Sequence, residues 1–334
     1  MIRGDFPAAG LVWLGRQGTR AVAASLFLAL AFPSLAAWCK PIVPEAIFAL
    51  LILAFLRVDP RELRGHFAEP TLVLVATMWT MLIVPAGLGV AFALAGVPDR
   101  LPQLYVGLML QSVAPPIMSA PAFAALMGLE SALSLATLIA GFAVTPLSAS
   151  VLAQLFLGAA TRLSPLGLGL RLLLILAGSA LSAALIRRIA GAGWIDRQRE
   201  CIDGLSVVTL FVFAVAVMDG VGIGLLTRPW VMIGLTTLAF VLALGLTALT
   251  TIVFARVGWG RSLALGLACG HRNLGLMLAA TGGTIPDLSW LYFGLAQFPI
   301  YLVPHLLQPL ARRWRAGSAN QGEARSGSGA SGMS

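Results

Sequence analysis

Long apolar runs succeed one another along almost the whole chain, with only short polar connections between them. As helices, most of these runs are long enough to cross a hydrocarbon layer about 30 Å thick. We count ten, at 20–38, 42–57, 70–96, 101–128, 131–157, 165–188, 203–226, 229–256, 260–283 and 288–311. Lipid offers no partners to backbone polar groups, and the runs lack β alternation. The sequence therefore predicts an all-α polytopic membrane protein with about ten transmembrane helices.

The basic residues are distributed unevenly over the predicted loops. Charged residues make up 10% of the chain, whose formal net charge is +9. With ten spans, sixteen arginines fall on the side that holds both termini and five basic residues on the other. By the positive-inside rule both termini are cytoplasmic, and we expect a bacterial inner (plasma) membrane. The charge excess is thus a topology signal, and we expect no nucleic-acid partner.

Neither the cysteines nor the acidic residues form an enzyme or metal motif. Cys39, Cys201 and Cys269 fall on the outer side, on the inner side and within the membrane, so they cannot pair. No metal-ligand spacing, paired aspartate or Ser–His arrangement occurs. We therefore expect no enzyme activity, no cofactor and no resident metal.

The chain divides near residue 160 into two halves of five spans. We predict a cytoplasmic N-terminal segment at 1–19, five-helix repeats at 20–160 and 161–312, and a disordered cytoplasmic tail at 313–334, which is rich in Gly and Ser. Since each half has an odd number of spans, the second half enters the membrane inverted. The first apolar run also has the basic flank and apolar core of a signal peptide, and its cleavage remains an alternative.

Two spans at matching positions in the halves carry helix-breaking residues. Span four contains "LQSVAPPIMSAPAF", where Pro115, Pro116 and Pro121 oppose an uninterrupted helix. Span nine contains "LACGHRNLGLML", in which glycines flank a polar triplet. Corresponding broken helices in inverted halves predict a transport site near the membrane midplane.

The polar triplet of span nine supplies the main candidate site residues. An arginine near the span centre, such as Arg272, costs about 2.5–3.5 kcal/mol to insert and should therefore face a partner or a cavity. We expect it to bind an anionic substrate or to replace a coupling cation; a structural ion pair with Asp219 is the alternative. His271 is a candidate for substrate binding and proton coupling, with a neutral hydrogen-bonding role equally open. Asn273 is predicted to cap the second half-helix or to contact substrate.

Span four and span seven supply the remaining candidates. Gln111, Ser112 and Ser119, together with carbonyls freed by the prolines, are expected to line the same substrate cavity. A simple proline kink is the alternative. Asp219, in the outer third of span seven, is a candidate coupling or pairing residue, and Glu45 is a weaker one.

At these two segments the chain resembles the bile acid:sodium symporter family. "APPIMSAPAFAALMGLESALSLATLIAGFAVTPLSA" is similar to the family's fourth and fifth helices, and "ACGHRNLGLMLAA" to its ninth-helix signature. The resemblance implies ten helices, with the fourth and ninth crossed, and transport of organic anions. It also implies Ser134 as a retained sodium ligand in the fifth helix.

The departures from the family pattern fall on its sodium ligands. The signature glutamate falls on Ala268 and the glutamine on Arg272, while the asparagine remains as Asn273. Two further ligand positions hold Ala120 and Pro121, and a third holds Leu138. We therefore expect Arg272 to take the place of a coupling sodium, so that transport is independent of sodium or coupled to protons.

The leading prediction is a secondary transporter of a small or amphipathic organic anion that works by alternating access. Sodium or a proton is the possible coupling ion, and the substrate and the lipid bilayer are the expected partners. An efflux carrier for an arsenite-like or auxin-like solute is a second transporter reading. A membrane receptor, sensor or structural protein built on such a fold is the alternative of a different class.

Overall fold

The computed structural model describes residues 10–13, 27, 30, 33–58, 69–158 and 164–330. Helices account for 88% of the structure, and the described residues form no strand. The α-helices, in chain order, are α1 (Pro33–Cys39), α2 (Val43–Arg57), α3 (Pro70–Met78), α4 (Val84–Leu94), α5 (Val97–Arg100), α6 (Pro102–Val113), α7 (Ala120–Leu126), α8 (Ser131–Leu157), α9 (Pro165–Ala190), α10 (Ala192–Arg197), α11 (Arg199–Val217), α12 (Val221–Thr227), α13 (Pro229–Val253), α14 (Trp259–Gly270), α15 (Leu274–Ala280) and α16 (Asp287–Ala330). The all-α prediction is confirmed.

Six helical segments in the described part of the chain are long and apolar enough to cross a membrane. They are Ser34–Arg57, Pro70–Leu94, Ser131–Leu157, Pro165–Ala190, Arg199–Thr227 and Pro229–Val253. Their outer faces expose large apolar side chains: Leu94, Leu226 and Trp230 are 85%, 86% and 82% exposed. Such a surface is suited to lipid rather than water. The protein is therefore an integral membrane protein.

The helices differ from the ten predicted runs in several places. Predicted spans four and nine are each divided into two short helices, α6 with α7 and α14 with α15. Span seven is also interrupted, between α11 and α12, at Gly220 with its positive φ of 78°. Ser34–Arg57 is helical throughout, with a 3-10 turn (Lys40–Ile42) where the sequence predicts an outer loop. Most of the first predicted run, and the boundary between the halves at 159–163, lie outside the described residues. The backbone stays helical over 313–330, where the sequence predicts disorder.

Small residues hold α14 unusually close to α13. A Cβ atom on Gly266 would lie 2.6 Å from the carbonyl oxygen of Thr247, and one on Gly270 would overlap the Thr247 hydroxyl. These two glycines form a G-x-x-x-G pair, the spacing that lets membrane helices approach backbone to backbone. The close contact fixes the end of α14, and with it the break that follows Gly270.

Ion pairs join the ends of several helices. Arg261, near the start of α14, contacts Glu69 at 2.9 Å and Glu130 at 2.7 Å, which directly precede α3 and α8. Arg57 at the end of α2 lies 2.7 Å from Asp203 in α11. All these residues lie at or near ends predicted to be cytoplasmic, where partly exposed charges reach water.

Candidate functional site at two facing helix breaks

The first break interrupts span four after α6. Ala114 is extended (φ −65°, ψ 146°) because the residue before a proline is disfavoured in the helical region. Pro115 and Pro116 also lack the N–H groups that a continuing helix requires. Pro121 lies in the first turn of α7, where a proline costs no hydrogen bond. The first two prolines therefore make the break, and Pro121 helps to restart the helix.

The second break separates α14 from α15 at the polar triplet. His271 is extended (φ −112°, ψ 102°), and helical backbone resumes at Leu274. The Asn273 side-chain oxygen accepts a hydrogen bond from the N–H of Leu276 at 3.0 Å. Asn273 thus caps α15, and the predicted capping role is confirmed.

The two breaks contact each other through their main chains. Pro116 and Arg272 form an isolated antiparallel bridge. The N–H of Ile117 donates to the His271 carbonyl at 2.9 Å, and the N–H of Asn273 donates to the Pro115 carbonyl at 2.8 Å. Buried backbone groups need such partners once they leave a helix. Each break therefore satisfies backbone groups that the other one exposes.

Arg272 places its guanidinium between carbonyl oxygens that no helix uses. Its side chain is 1% exposed, and Nη1 donates to the carbonyls of Thr80 at 3.0 Å and Ala114 at 2.9 Å. Nη2 lies 3.5 Å from the sulfur of Cys269. The Ala114 carbonyl is free because of the proline break.

The Thr80 carbonyl is free for a separate reason. It lies in a π-helical segment, Trp79–Ile83, whose following residue, Val84, donates its N–H to the carbonyl of Trp79. The next residue, Pro85, has no N–H to give. This contribution was not predicted from the sequence, although the proline inside the apolar run "WTMLIVP" is a visible signal of it. π-segments within α-helices are frequent at functional sites.

No carboxylate among the described residues lies within ion-pair distance of Arg272. The alternative pairing with Asp219 is wrong, because Asp219 binds Lys40 at 2.9 Å instead. Lys40 also lies 4.4 Å from the ring centre of Trp290. The buried cation is therefore balanced only by carbonyl dipoles and a sulfur atom.

A small cavity adjoins Arg272 between α6, α13, α14, α15 and α16. Its volume of about 10 Å³ is roughly what a single buried water needs. Its lining residues are Gln111, Ala239, Ala243, Gly270, Arg272, Leu274, Ala296, Pro299 and Ile300. The hydroxyl of Tyr292 donates a hydrogen bond to Gln111 Oε1, which fixes the Gln111 amide. Arg272 is the one charged residue of this lining.

Several buried polar atoms in or near the breaks have no hydrogen-bond partner. Among the described residues they are Ser119 Oγ, Arg272 Nε and Asn273 Nδ2. The His271 ring is engaged by backbone groups, since Nδ1 donates to the Leu267 carbonyl at 2.9 Å and the ring also hydrogen-bonds the backbone of Pro299. Buried polar groups without partners are rare and call for an explanation such as a bound molecule. Their concentration at the two breaks marks this region as the candidate site.

The predicted site residues divide into three groups. Gln111 and Arg272 line the cavity, and Ser119, His271 and Asn273 belong to the breaks. Ser112 donates its hydroxyl to the Leu108 carbonyl of its own helix at 2.7 Å. Ser134, fully buried on α8, has a hydroxyl that finds no partner in the described part of the chain. Asp219 is engaged elsewhere, with Lys40.

No protein-family model matches the chain, and no curated protein matches it. The residues at the two breaks therefore carry the functional proposal.

Proposed function

We propose that the protein is a secondary transporter that carries an organic anion by alternating access around the two facing breaks. It would resemble the bile acid:sodium symporters, with sodium coupling altered or absent. The observation that carries this proposal is the buried guanidinium of Arg272, which has no carboxylate partner among the described residues and adjoins a cavity.

An anionic substrate follows from the unbalanced charge. Uncharged carbonyls compensate part of the cost of burying a cation, but an unpaired buried charge remains expensive. Of the five N–H groups of Arg272, two donate to carbonyls and one to Cys269. The Nε–H and the second Nη2–H remain for a ligand. An anion would supply both the charge and the acceptors.

A transport role is supported by the interrupted helices. Non-helical backbone at membrane depth is tolerated where it is buried in protein or lines a cavity. Here two such segments meet, and in the second the Nε–H of Arg272 has no hydrogen-bond partner among the described residues. We infer ten spans in two inverted five-helix repeats, in which broken helices four and nine meet at the midplane. Both termini would be cytoplasmic, in a bacterial inner membrane.

Altered sodium coupling is supported by the atoms that surround Nη1 of Arg272. Carbonyls released from helices are ligands that membrane transporters use for Na⁺. In this chain the Thr80 and Ala114 carbonyls bind a guanidinium nitrogen instead. A tethered positive charge would thus do permanently what a bound sodium does transiently. Proton coupling through His271 or Asp219 remains compatible with this arrangement.

Uptake into proteoliposomes tests the proposal. Purified protein would be reconstituted, and entry of radiolabelled taurocholate, benzoate and butyrate followed under sodium, potassium or proton gradients. We expect saturable uptake of at least one anion without sodium, and its loss in Arg272→Gln protein that still elutes as a monodisperse peak. Absence of saturable uptake for all three would contradict the transport function. Strict sodium dependence would contradict the coupling model alone.

A further inference from the structure

We propose that the cavity beside Arg272 holds a chloride ion, which balances the charge of the buried guanidinium. The inference goes beyond the proposed function, because a resident halide requires no transport. Three observations carry it: a buried charge without a counter-ion, N–H donors without acceptors, and a space that admits one small sphere.

The buried charge of Arg272 has no counter-ion in the described part of the chain. Its side chain is 1% exposed, and the carboxylates that form ion pairs there bind other cations. A guanidinium does not release its proton in a protein. The carbonyls of Thr80 and Ala114 turn their oxygens toward it but carry no net charge. Because an uncompensated buried charge is strongly unfavourable, we expect an anion to accompany Arg272.

The polar groups of the cavity are donors rather than acceptors. The Nε–H of Arg272 has no partner among the described residues, and Nη2 has one N–H beyond its contact with Cys269. Gln111 Oε1 already accepts the hydroxyl of Tyr292, so the amide NH₂ is the unused polar group of Gln111. The other lining side chains are apolar or absent, as in glycine.

This balance of donors and acceptors favours chloride over water as the occupant. A buried water molecule also donates two hydrogens and is held by about three hydrogen bonds. The lining side chains offer it a single acceptor, the second lone pair of Gln111 Oε1. Chloride only accepts hydrogen bonds, and it supplies the negative charge that water lacks. Both the charge and the hydrogen bonds of Arg272 are then satisfied.

The size of the cavity selects a monatomic anion. Its volume of about 10 Å³ is roughly the space of one buried water. Carboxylates, nitrate, sulfate and phosphate contain several heavy atoms and exceed this space, whereas a halide is a single atom close to water in size. Chloride is the abundant halide in biological fluids. An organic anion would reach Arg272 only after the cavity widens.

Equilibrium binding of radiolabelled chloride to purified protein in sodium gluconate tests the inference. We expect saturable binding at a stoichiometry near one ion per chain, because the cavity holds one small sphere. Bromide should displace the label, and sulfate should not. Crystals grown in sodium bromide should show an anomalous peak within hydrogen-bond distance of Arg272 Nε. Absence of saturable binding, or density there without an anomalous signal, would overturn the inference and leave water as the occupant.

Two variants and a matched control locate the ion. Arg272→Gln should bind chloride about 100-fold more weakly, since two charge-assisted hydrogen bonds are lost. If that variant fails to fold, Gln111→Glu remains informative: it keeps the acceptor for Tyr292 and places a carboxylate in the cavity, which would itself balance Arg272 and exclude chloride. Gln103→Glu makes the same change at the exposed start of α6 and should bind chloride like wild type. Wild-type binding by Gln111→Glu would contradict the assignment.

Chloride binding and anion transport fail separately. If chloride binds but no organic anion enters proteoliposomes, the halide site stands and the transport function fails. If organic anions are taken up but chloride does not bind, the transport function stands and the halide site fails.

Discussion

Replacing Arg272 by alanine should abolish anion uptake, and free guanidinium ion should restore it. The substitution removes two N–H groups that we assign to the substrate, each worth about 1.5–3 kcal/mol for a charged donor. The summed loss of about 3–6 kcal/mol corresponds to roughly a 100-fold to 10,000-fold weaker interaction. Uptake at a fixed low concentration of anion should therefore fall to background.

The same substitution should leave the protein folded. Two carbonyls, those of Thr80 and Ala114, lose their partner, at about 1–3 kcal/mol each. Removal of the charge lowers the free-energy cost of placing this side chain in the membrane by about 2.5–3.5 kcal/mol. Because these terms are similar in size, the variant should remain a monodisperse helical protein. A cavity of guanidinium size would be left between the carbonyls and the substrate.

The assay is uptake by Arg272→Ala proteoliposomes with millimolar guanidinium chloride, below concentrations that denature. Guanidinium should fill the vacated space and recover part of the uptake. Methylammonium, which lacks the planar donor edge, should not, and Arg272→Lys should be intermediate because it keeps charge without that edge. Full uptake by Arg272→Ala without any added cation would refute the role assigned to Arg272.

Four further outcomes follow from particular contacts. Gly270→Leu should destabilise the protein by more than about 2 kcal/mol in a thermal-shift assay, since close packing against α13 leaves no room for a side chain. Gly234→Ala, with open space around its Cβ position, should be close to neutral; equal shifts would contradict the packing model. Asn273→Ala should destabilise the protein by about 1 kcal/mol because the N-cap hydrogen bond is lost, and Asn273→Asp should keep most of that stability. Lys40→Met should change stability by less than about 1 kcal/mol, because the pair with Asp219 is partly exposed. If Asp219 couples protons, Asp219→Asn but not Lys40→Met should abolish stimulation by a proton gradient; equal effects would indicate a merely structural pair.

The positions of both helix breaks could be predicted from sequence because their causes are local. Pro115 and Pro116 deny the helix two N–H groups, and Asn273 caps the helix that follows it. Both effects operate within a few residues of the chain. The identity of the buried cation, Arg272, followed equally directly from its place in an apolar run.

Partners that are distant along the chain could not be predicted in this way. Asp219 pairs with Lys40, which is 179 residues away, rather than with the nearer Arg272. The Thr80 carbonyl is available to Arg272 because it lies in a π-helical segment and because the helix that contains it packs beside Arg272. Side-chain identity does not encode which backbone oxygen will be left free at a tertiary contact.

The number of membrane helices illustrates a different limit. Hydrophobic length identifies apolar runs, but it does not distinguish one continuous helix from two. Spans four and nine are long enough as runs, yet each forms two helices because breaks intervene. The reverse occurs at Lys40, where a charged residue and a proline suggest a loop and the helical backbone continues through a 3-10 turn. Local backbone hydrogen bonding decides whether such a run forms one continuous helix or two.

Counterflow in sodium-free proteoliposomes tests the central claim most directly, because it needs no ion gradient. Vesicles preloaded with unlabelled anion would be diluted into labelled butyrate, benzoate or taurocholate. We expect transient accumulation of label for at least one anion with wild-type protein, and none with Arg272→Gln. No accumulation by folded wild-type protein, or equal accumulation by the variant, would contradict it.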